Sequence, residues 1–185
     1  MILVMPSGST GTFSDEEWAN GVRANSAWET FVARDLVKAI DSRYRTIRSG
    51  AGRAIGGLSE GGYGALNIAF HHPREFHVIE SWSGYQQADN LRSIFGGRPS
   101  LLRHNSPAVT LAAVARTLRR EHAFVWFYSG SKDPFNAQNG AFAGQLARAG
   151  VAHRYFVVRG GHNWAIWRGE AMPALLAATH HLAHA

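Results

Sequence analysis

Gly57-Leu58-Ser59-Glu60-Gly61 has the pattern G-x-S-x-G and lies between a strand-like run and a helix-like one. In that context the pattern marks a nucleophilic serine on a sharp, strained turn. The hydroxyl is lifted above a sheet, and the flanking residues are glycine because side chains there would collide with neighbouring backbone. A helix beginning just after Ser59 brings its first N–H groups to the same place, so the Glu60 amide is expected to donate to a tetrahedral oxyanion. A serine hydroxyl also needs a base to take its proton and an acid to orient that base, in the chain order serine, acid, histidine. Asp133, in Gly130-Ser131-Lys132-Asp133-Pro134, and His162, in Gly160-Gly161-His162-Asn163-Trp164, satisfy that order. Each follows a strand-like run, so Ser59, Asp133 and His162 are expected to converge at the carboxyl edges of separate strands, where open α/β sheets build their sites.

Taken singly, Asp133 reads as a turn former and His162 as a loop histidine bonded to backbone. Asp89, in a long loop, is the main rival acid. His71, His72 and His77 fall on or after the helix behind the serine, where they would not face it. His180 and His184 have the i, i+4 spacing of a helical metal pair, but no third ligand is visible nearby, so no metal site is expected. Trp82 and Tyr85 follow one strand, and Trp164 and Trp167 follow His162. These aromatics read either as the rim of a substrate pocket or as loop anchors and core.

Strand-like runs at 2–5, 53–58, 77–82, 123–129 and 152–158 alternate with segments of helical period, which predicts an α/β domain on a mainly parallel sheet of about five strands flanked by helices. The first helix is signposted by Ser26-Ala27-Trp28-Glu29, a capping-box sequence, and by Trp28, Phe31, Val32, Leu36 and Ile40 at helical spacing. Further helices are predicted over 60–71, 106–119, 137–149 and from about Ala171. Gly61, Gly62 and Gly64 crowd the first of these, and the cost of helical glycine implies a close-packing requirement. Segments 6–25 and 83–105 are rich in Gly, Ser, Asn and Pro and read as long loops walling a binding site.

The 185 residues are 45% hydrophobic and 17% charged, which suits one domain over 1–185 with a core that needs no staple. The absence of cysteine excludes disulfides, thiolate metal sites and a cysteine nucleophile. Net charge is +6, but the cationic residues, all arginine except Lys38 and Lys132, are spread along the chain. The cluster Arg116, Arg119 and Arg120 fits one solvated helix face, so no nucleic-acid partner is expected. No run approaches the roughly 18 apolar residues of a membrane span. The start, Met1-Ile2-Leu3-Val4-Met5-Pro6, lacks the basic region of a signal peptide, so the chain, if complete, is expected to be soluble and cytoplasmic. No cofactor is implied, and the oligomeric state stays open, a dimer included.

Four stretches together resemble the esterase branch of the α/β-hydrolases that includes esterase D, feruloyl esterases and bacterial mycolyltransferases. They are Gly57-Leu58-Ser59-Glu60-Gly61-Gly62-Tyr63-Gly64-Ala65, Ser81-Trp82-Ser83-Gly84, Tyr128-Ser129-Gly130-Ser131-Lys132-Asp133 and Gly160-Gly161-His162-Asn163-Trp164. The resemblance implies an α/β-hydrolase fold, a Ser59–Asp133–His162 triad with Glu60 as one oxyanion donor, and cleavage of a small-molecule carboxylic ester through an acyl-enzyme. Acyl transfer to a sugar or alcohol and a catalytically idle binding module are the alternatives. Family members usually carry further strands and a His-Gly-type loop ahead of the segment resembling residues 2–6, so the sheet is expected to be N-terminally shortened. Either residues 2–5 lie beside the nucleophile strand in a minimal hydrolase, or the chain is a fragment, a domain or a misassigned start. In the minimal case the loop Pro6-Ser7-Gly8-Ser9-Thr10-Gly11, with Gly8 at its centre, would offer the second oxyanion N–H.

Overall fold

The computed structural model describes residues 1–8, 16–24 and 26–183. Four strands, β1 (Ala54–Leu58), β2 (Val78–Trp82), β3 (Phe124–Gly130) and β4 (Ala152–Val158), form one parallel sheet in the order β1-β2-β3-β4. The two inner strands are buried along nearly their whole length, and β3 is a near-continuous apolar run, as expected of a strand covered on both faces, whereas the edge strand β4 alternates with exposed residues. β1 is the other edge among the described residues, kept thin by Gly56 and Gly57 and paired with β2.

A strand at 2–5 is not formed, and among the described residues the sheet has four strands rather than about five. Ile2 and Leu3 are exposed instead of buried. Apolar, β-branched character says only that a segment would suit a pleated, half-buried surface. It does not provide the neighbour, and none of residues 2–5 joins the β1 ladder.

Parallel neighbours in sequential order need crossovers of one hand, which puts the connecting helices on a common face. That face carries α3 (Glu60–His71), α5 (Pro107–Arg120) and α6 (Asn136–Arg148), and its core joins Leu66, Phe70, Ile79, Leu118, Val125, Phe127 and Phe142. The opposite face is covered by α7 (Trp164–His181), which packs Ile166, Trp167 and Ala174 against Trp126 and Tyr128. α7 begins well before Ala171, because the Asn163 side chain accepts from the Ala165 N–H at 3.0 Å and caps it there. This helix therefore starts immediately after His162. A short helix, α4 (Pro99–His104), interrupts the segment read as loop 83–105, with proline in its first turn.

The first helix runs as α1 (Trp28–Thr30), a π-helical stretch Phe31–Leu36 and α2 (Val37–Arg43). The expected capping box is absent. The Ser26 hydroxyl donates to Glu16 Oε2 at 2.9 Å, while Glu29 turns inward and accepts from His71 Nδ1 at 2.9 Å and His72 Nε2 at 3.0 Å. Two imidazole partners at the far end of α3 outcompete one backbone N–H. Among the described residues no helix is long and apolar enough to cross a membrane, and no group of three or more metal-ligating side chains is present. His180 lies at the end of α7, and His184 lies outside the described residues, as do Ser9, Thr10 and Gly11.

Candidate active site

Ser59 joins β1 to α3 with φ 52° and ψ −115°, a left-handed conformation that costs an L-residue of order 1–3 kcal/mol. The turn is held on both sides. The Ser59 N–H donates to Trp82 O at 2.8 Å, and the Ser59 carbonyl accepts from the N–H groups of Gly62 and Tyr63, each at 3.0 Å. The hydroxyl therefore stands above the carboxyl edge of the sheet, with Glu60 as the first residue of α3 and the positive end of its dipole beside it.

The two glycines of the pentapeptide differ. A Cβ on Gly57 would come within 2.6 Å of the Gly61 carbonyl carbon, so the turn can close only over glycine there, whereas a Cβ on Gly61 would meet nothing within 4 Å. Gly57→Ala is expected to abolish the folded turn, read as loss of a cooperative thermal transition or a steep fall in Tm. Gly61→Ala should fold and gain about 0.5–1 kcal/mol from helix propensity. Equal destabilisation by both would contradict this division.

Asp133 and His162 are brought together by two loops zipped edge to edge. Ser131 N–H donates to Val158 O at 2.8 Å and Lys132 N–H to Gly160 O at 2.7 Å. Gly130 lets them approach, since a Cβ there would sit 2.6 Å from Gly160 O. The Asp133 side chain is fully buried. Its Oδ1 accepts from the Phe135 N–H at 2.8 Å and its Oδ2 faces His162 Nδ1 at 2.9 Å. His162 Nε2 lies 2.8 Å from Ser59 Oγ. An ionised carboxylate only accepts, so His162 carries its proton on Nδ1 and presents a bare Nε2 to the serine O–H. Ser59, His162 and Asp133 thus form one continuous chain of hydrogen bonds from solvent to buried carboxylate.

The other expected site residues divide. Strand alternation puts Trp82, at the carboxyl end of β2, on the α7 face with Glu80, where its indole N–H donates to Glu80 Oε2 at 3.1 Å. Burial pushes the Glu80 carboxyl up to about 7, against the lowering effect of that hydrogen bond. Tyr85 stacks on Tyr63 of α3 at 4.9 Å, and its hydroxyl donates to Glu17. Trp164 is exposed at the start of α7. Gly8 packs on the Trp18 indole, which in turn lies against Gly64 in α3. Asp89 is exposed on the loop after β2.

Phe135, not singled out from the sequence, meets the His162 ring at 5.5 Å, and Trp167 meets it at 4.9 Å and 90°. The only sequence signal for Phe135 was its position two residues after the acid.

Residues 1–178 match the family model described as "Putative esterase". The chain belongs to that esterase family. Esterase Rv1288 of Mycobacterium tuberculosis strain H37Rv is 25% identical over 196 residues, covering 88% of this chain and 41% of that protein. The diacylglycerol acyltransferase/mycolyltransferase Ag85C of Mycobacterium avium is 23% identical, over 92% of this chain and 58% of its own length. The first curated relatives are thus matched over 41% of their length. Among solved structures, FphF, a fluorophosphonate-binding serine hydrolase of Staphylococcus aureus, superposes with TM-score 0.77 at 18% identity, over 89% of this chain and 68% of that one. A ferulic acid esterase superposes with TM-score 0.75 at 24% identity, over 88% and 63% respectively. The fold of this family member is accordingly the α/β-hydrolase fold, here with a four-stranded parallel sheet.

Proposed function

We propose that this protein is a serine esterase acting on small-molecule carboxylic esters. The observation that carries the reading is the unbroken relay Ser59 Oγ, His162 Nε2, His162 Nδ1, Asp133 Oδ2 at 2.8 and 2.9 Å, in a chain of an esterase family. His162 takes the proton from Ser59 as the serine oxygen attacks the ester carbonyl, and Asp133 holds the imidazole in the required tautomer and stabilises the imidazolium. The tetrahedral oxyanion is held by the Glu60 N–H. Gly8 is expected as a second donor only with residues 2–5 beside β1, an arrangement that is not formed, so the Glu60 amide is the one donor assigned. Collapse of the intermediate passes the proton from His162 to the departing alcohol and leaves an acyl group on Ser59. Water, deprotonated by the same histidine, then releases the acid.

Acyl transfer uses the same intermediate with an alcohol in place of water, and the relation to a mycolyltransferase favours including it. Hydrolysis of a short-chain p-nitrophenyl ester by the wild type and by Ser59→Ala tests the reading. A burst of nitrophenol stoichiometric with protein, absent from the variant, is the expected result, and equal rates in the two would overturn it. Repeating the assay with added glycerol separates transfer from hydrolysis by its acylated product.

A further inference from the structure

We propose that Trp167 is a positioning residue whose effect falls on the second half of the reaction, the release of the acyl group from Ser59. The proposal rests on the reading of Ser59 as nucleophile and His162 as base. In the free protein two hydrogen bonds hold the imidazole, Nδ1 to Asp133 Oδ2 at 2.9 Å and Nε2 to Ser59 Oγ at 2.8 Å. Once Oγ carries an acyl group it has no hydrogen to donate, and the bond at Nε2 is lost. The same Nε2 must then take a proton from water as the water oxygen attacks the acyl carbonyl carbon, and return it to Oγ as the C–Oγ bond breaks.

In the acyl-enzyme one hydrogen bond remains, and a ring tethered at a single nitrogen can swing about it. The Asp133 side chain is fully buried whereas that of His162 is 25% exposed, so the imidazole has solvent to turn into. Ring contacts oppose that motion, and acylation of Ser59 does not remove them. Phe135 meets the imidazole at 5.5 Å and 79°, and Trp167 meets it at 4.9 Å and 90°. Trp167 is the closer of the two, and it is seated in the core with Trp126, Tyr128 and Ile166, between α7 and the sheet. Its buried indole N–H has no partner among the described residues. Its place is therefore fixed by packing, and a smaller side chain removes a contact with the histidine without breaking a hydrogen bond. A base displaced by about 1 Å costs on the order of 10²-fold in rate, which sets the scale of what this contact protects.

The test measures turnover of p-nitrophenyl butyrate at saturation in the wild type, Trp167→Phe and Trp167→Leu, with the butyrylated fraction of each protein read by intact mass spectrometry after acid quenching. Turnover divided by that fraction is the deacylation rate of each acyl-enzyme, while kcat/KM reports acylation. The expected result is that Trp167→Leu lowers the deacylation rate by about 10- to 100-fold and kcat/KM much less, so that the acylated fraction stays high or rises. Trp167→Phe keeps a smaller ring and should lie between, about 3-fold below the wild type in deacylation, which carries the test by itself if Trp167→Leu does not fold. A purely structural role would lower turnover and the acylated fraction together and leave their ratio at the wild-type value. That result, or equal slowing of acylation and deacylation, would overturn the proposal while leaving the esterase reading intact. Hydrolysis that persists in Ser59→Ala would overturn both.

Discussion

Asp133→Asn is expected to lower kcat for ester hydrolysis by about 10⁴-fold while leaving the fold intact. The reason is in the two bonds that the carboxylate makes. Oδ1 accepts from the Phe135 N–H and Oδ2 accepts from His162 Nδ1. An asparagine keeps its carbonyl oxygen on the Phe135 N–H, since its amide nitrogen cannot accept there, and so turns its NH₂ toward the imidazole. His162 Nδ1 must then become the acceptor, the proton moves to Nε2, and Nε2 can no longer receive a proton from Ser59. Volume and burial barely change, so Tm should stay near the wild-type value. Near-normal turnover in Asp133→Asn would show that another acid, with Asp89 as the rival, serves the histidine.

A second large effect is expected far from Ser59, at the foot of α3. His71 has both ring nitrogens on acceptors: Nδ1 faces Glu29 Oε2 at 2.9 Å and Nε2 faces the His104 carbonyl at 2.9 Å. Each nitrogen must carry a hydrogen, so the bound form is the imidazolium. Burial alone would push His71 down, but Glu29 and the His104 carbonyl raise it above the ordinary 6.5. Burial would likewise push Glu29 up, but the hydrogen bonds and charges of His71 and His72 bring it down to about 2.

The two shifts set a pH window. The contribution of His71 is complete below 6.5 and is lost as pH rises through its raised folded value. That of Glu29 is complete above 4.5 and is lost as pH falls toward 2. His104, pushed down by burial and by the charge of His71, works in the opposite sense below 6.5. Glu29→Gln should therefore cost about 3 kcal/mol at pH 6 and distinctly less at pH 9. Urea midpoints of both proteins at the two pH values measure this, and equal losses at both would contradict it.

Strands β1 to β4 and the placement of Ser59, Asp133 and His162 were legible because they depend on local signals. A continuous apolar run such as Phe124–Gly130 marks a covered strand, and residues just past such runs must lie at the carboxyl edge. Residues 2–5 carry the same local signal and form no strand, since pairing depends on a neighbour that no window of sequence contains. The contacts that escaped notice are long-range ones. Glu29 meets His71 and His72 across 42 and 43 residues, and this displaced the capping box expected at Ser26. Trp82, which the sequence left as rim or core, packs on the α7 face, because a period of two commits it to the same side as Glu80. Phe135 touches His162 only because the acid loop and the histidine loop are zipped together by backbone.

The central claim is that Ser59 is a nucleophile activated by His162. Its most direct test is covalent labelling by a fluorophosphonate, with the adduct located by peptide mass spectrometry in the wild type, Ser59→Ala and His162→Ala. One phosphonyl group on the peptide containing Ser59, absent from Ser59→Ala and slowed by orders of magnitude in His162→Ala, is the predicted result. Labelling that persists in Ser59→Ala, or a wild type that takes up no label, would contradict it.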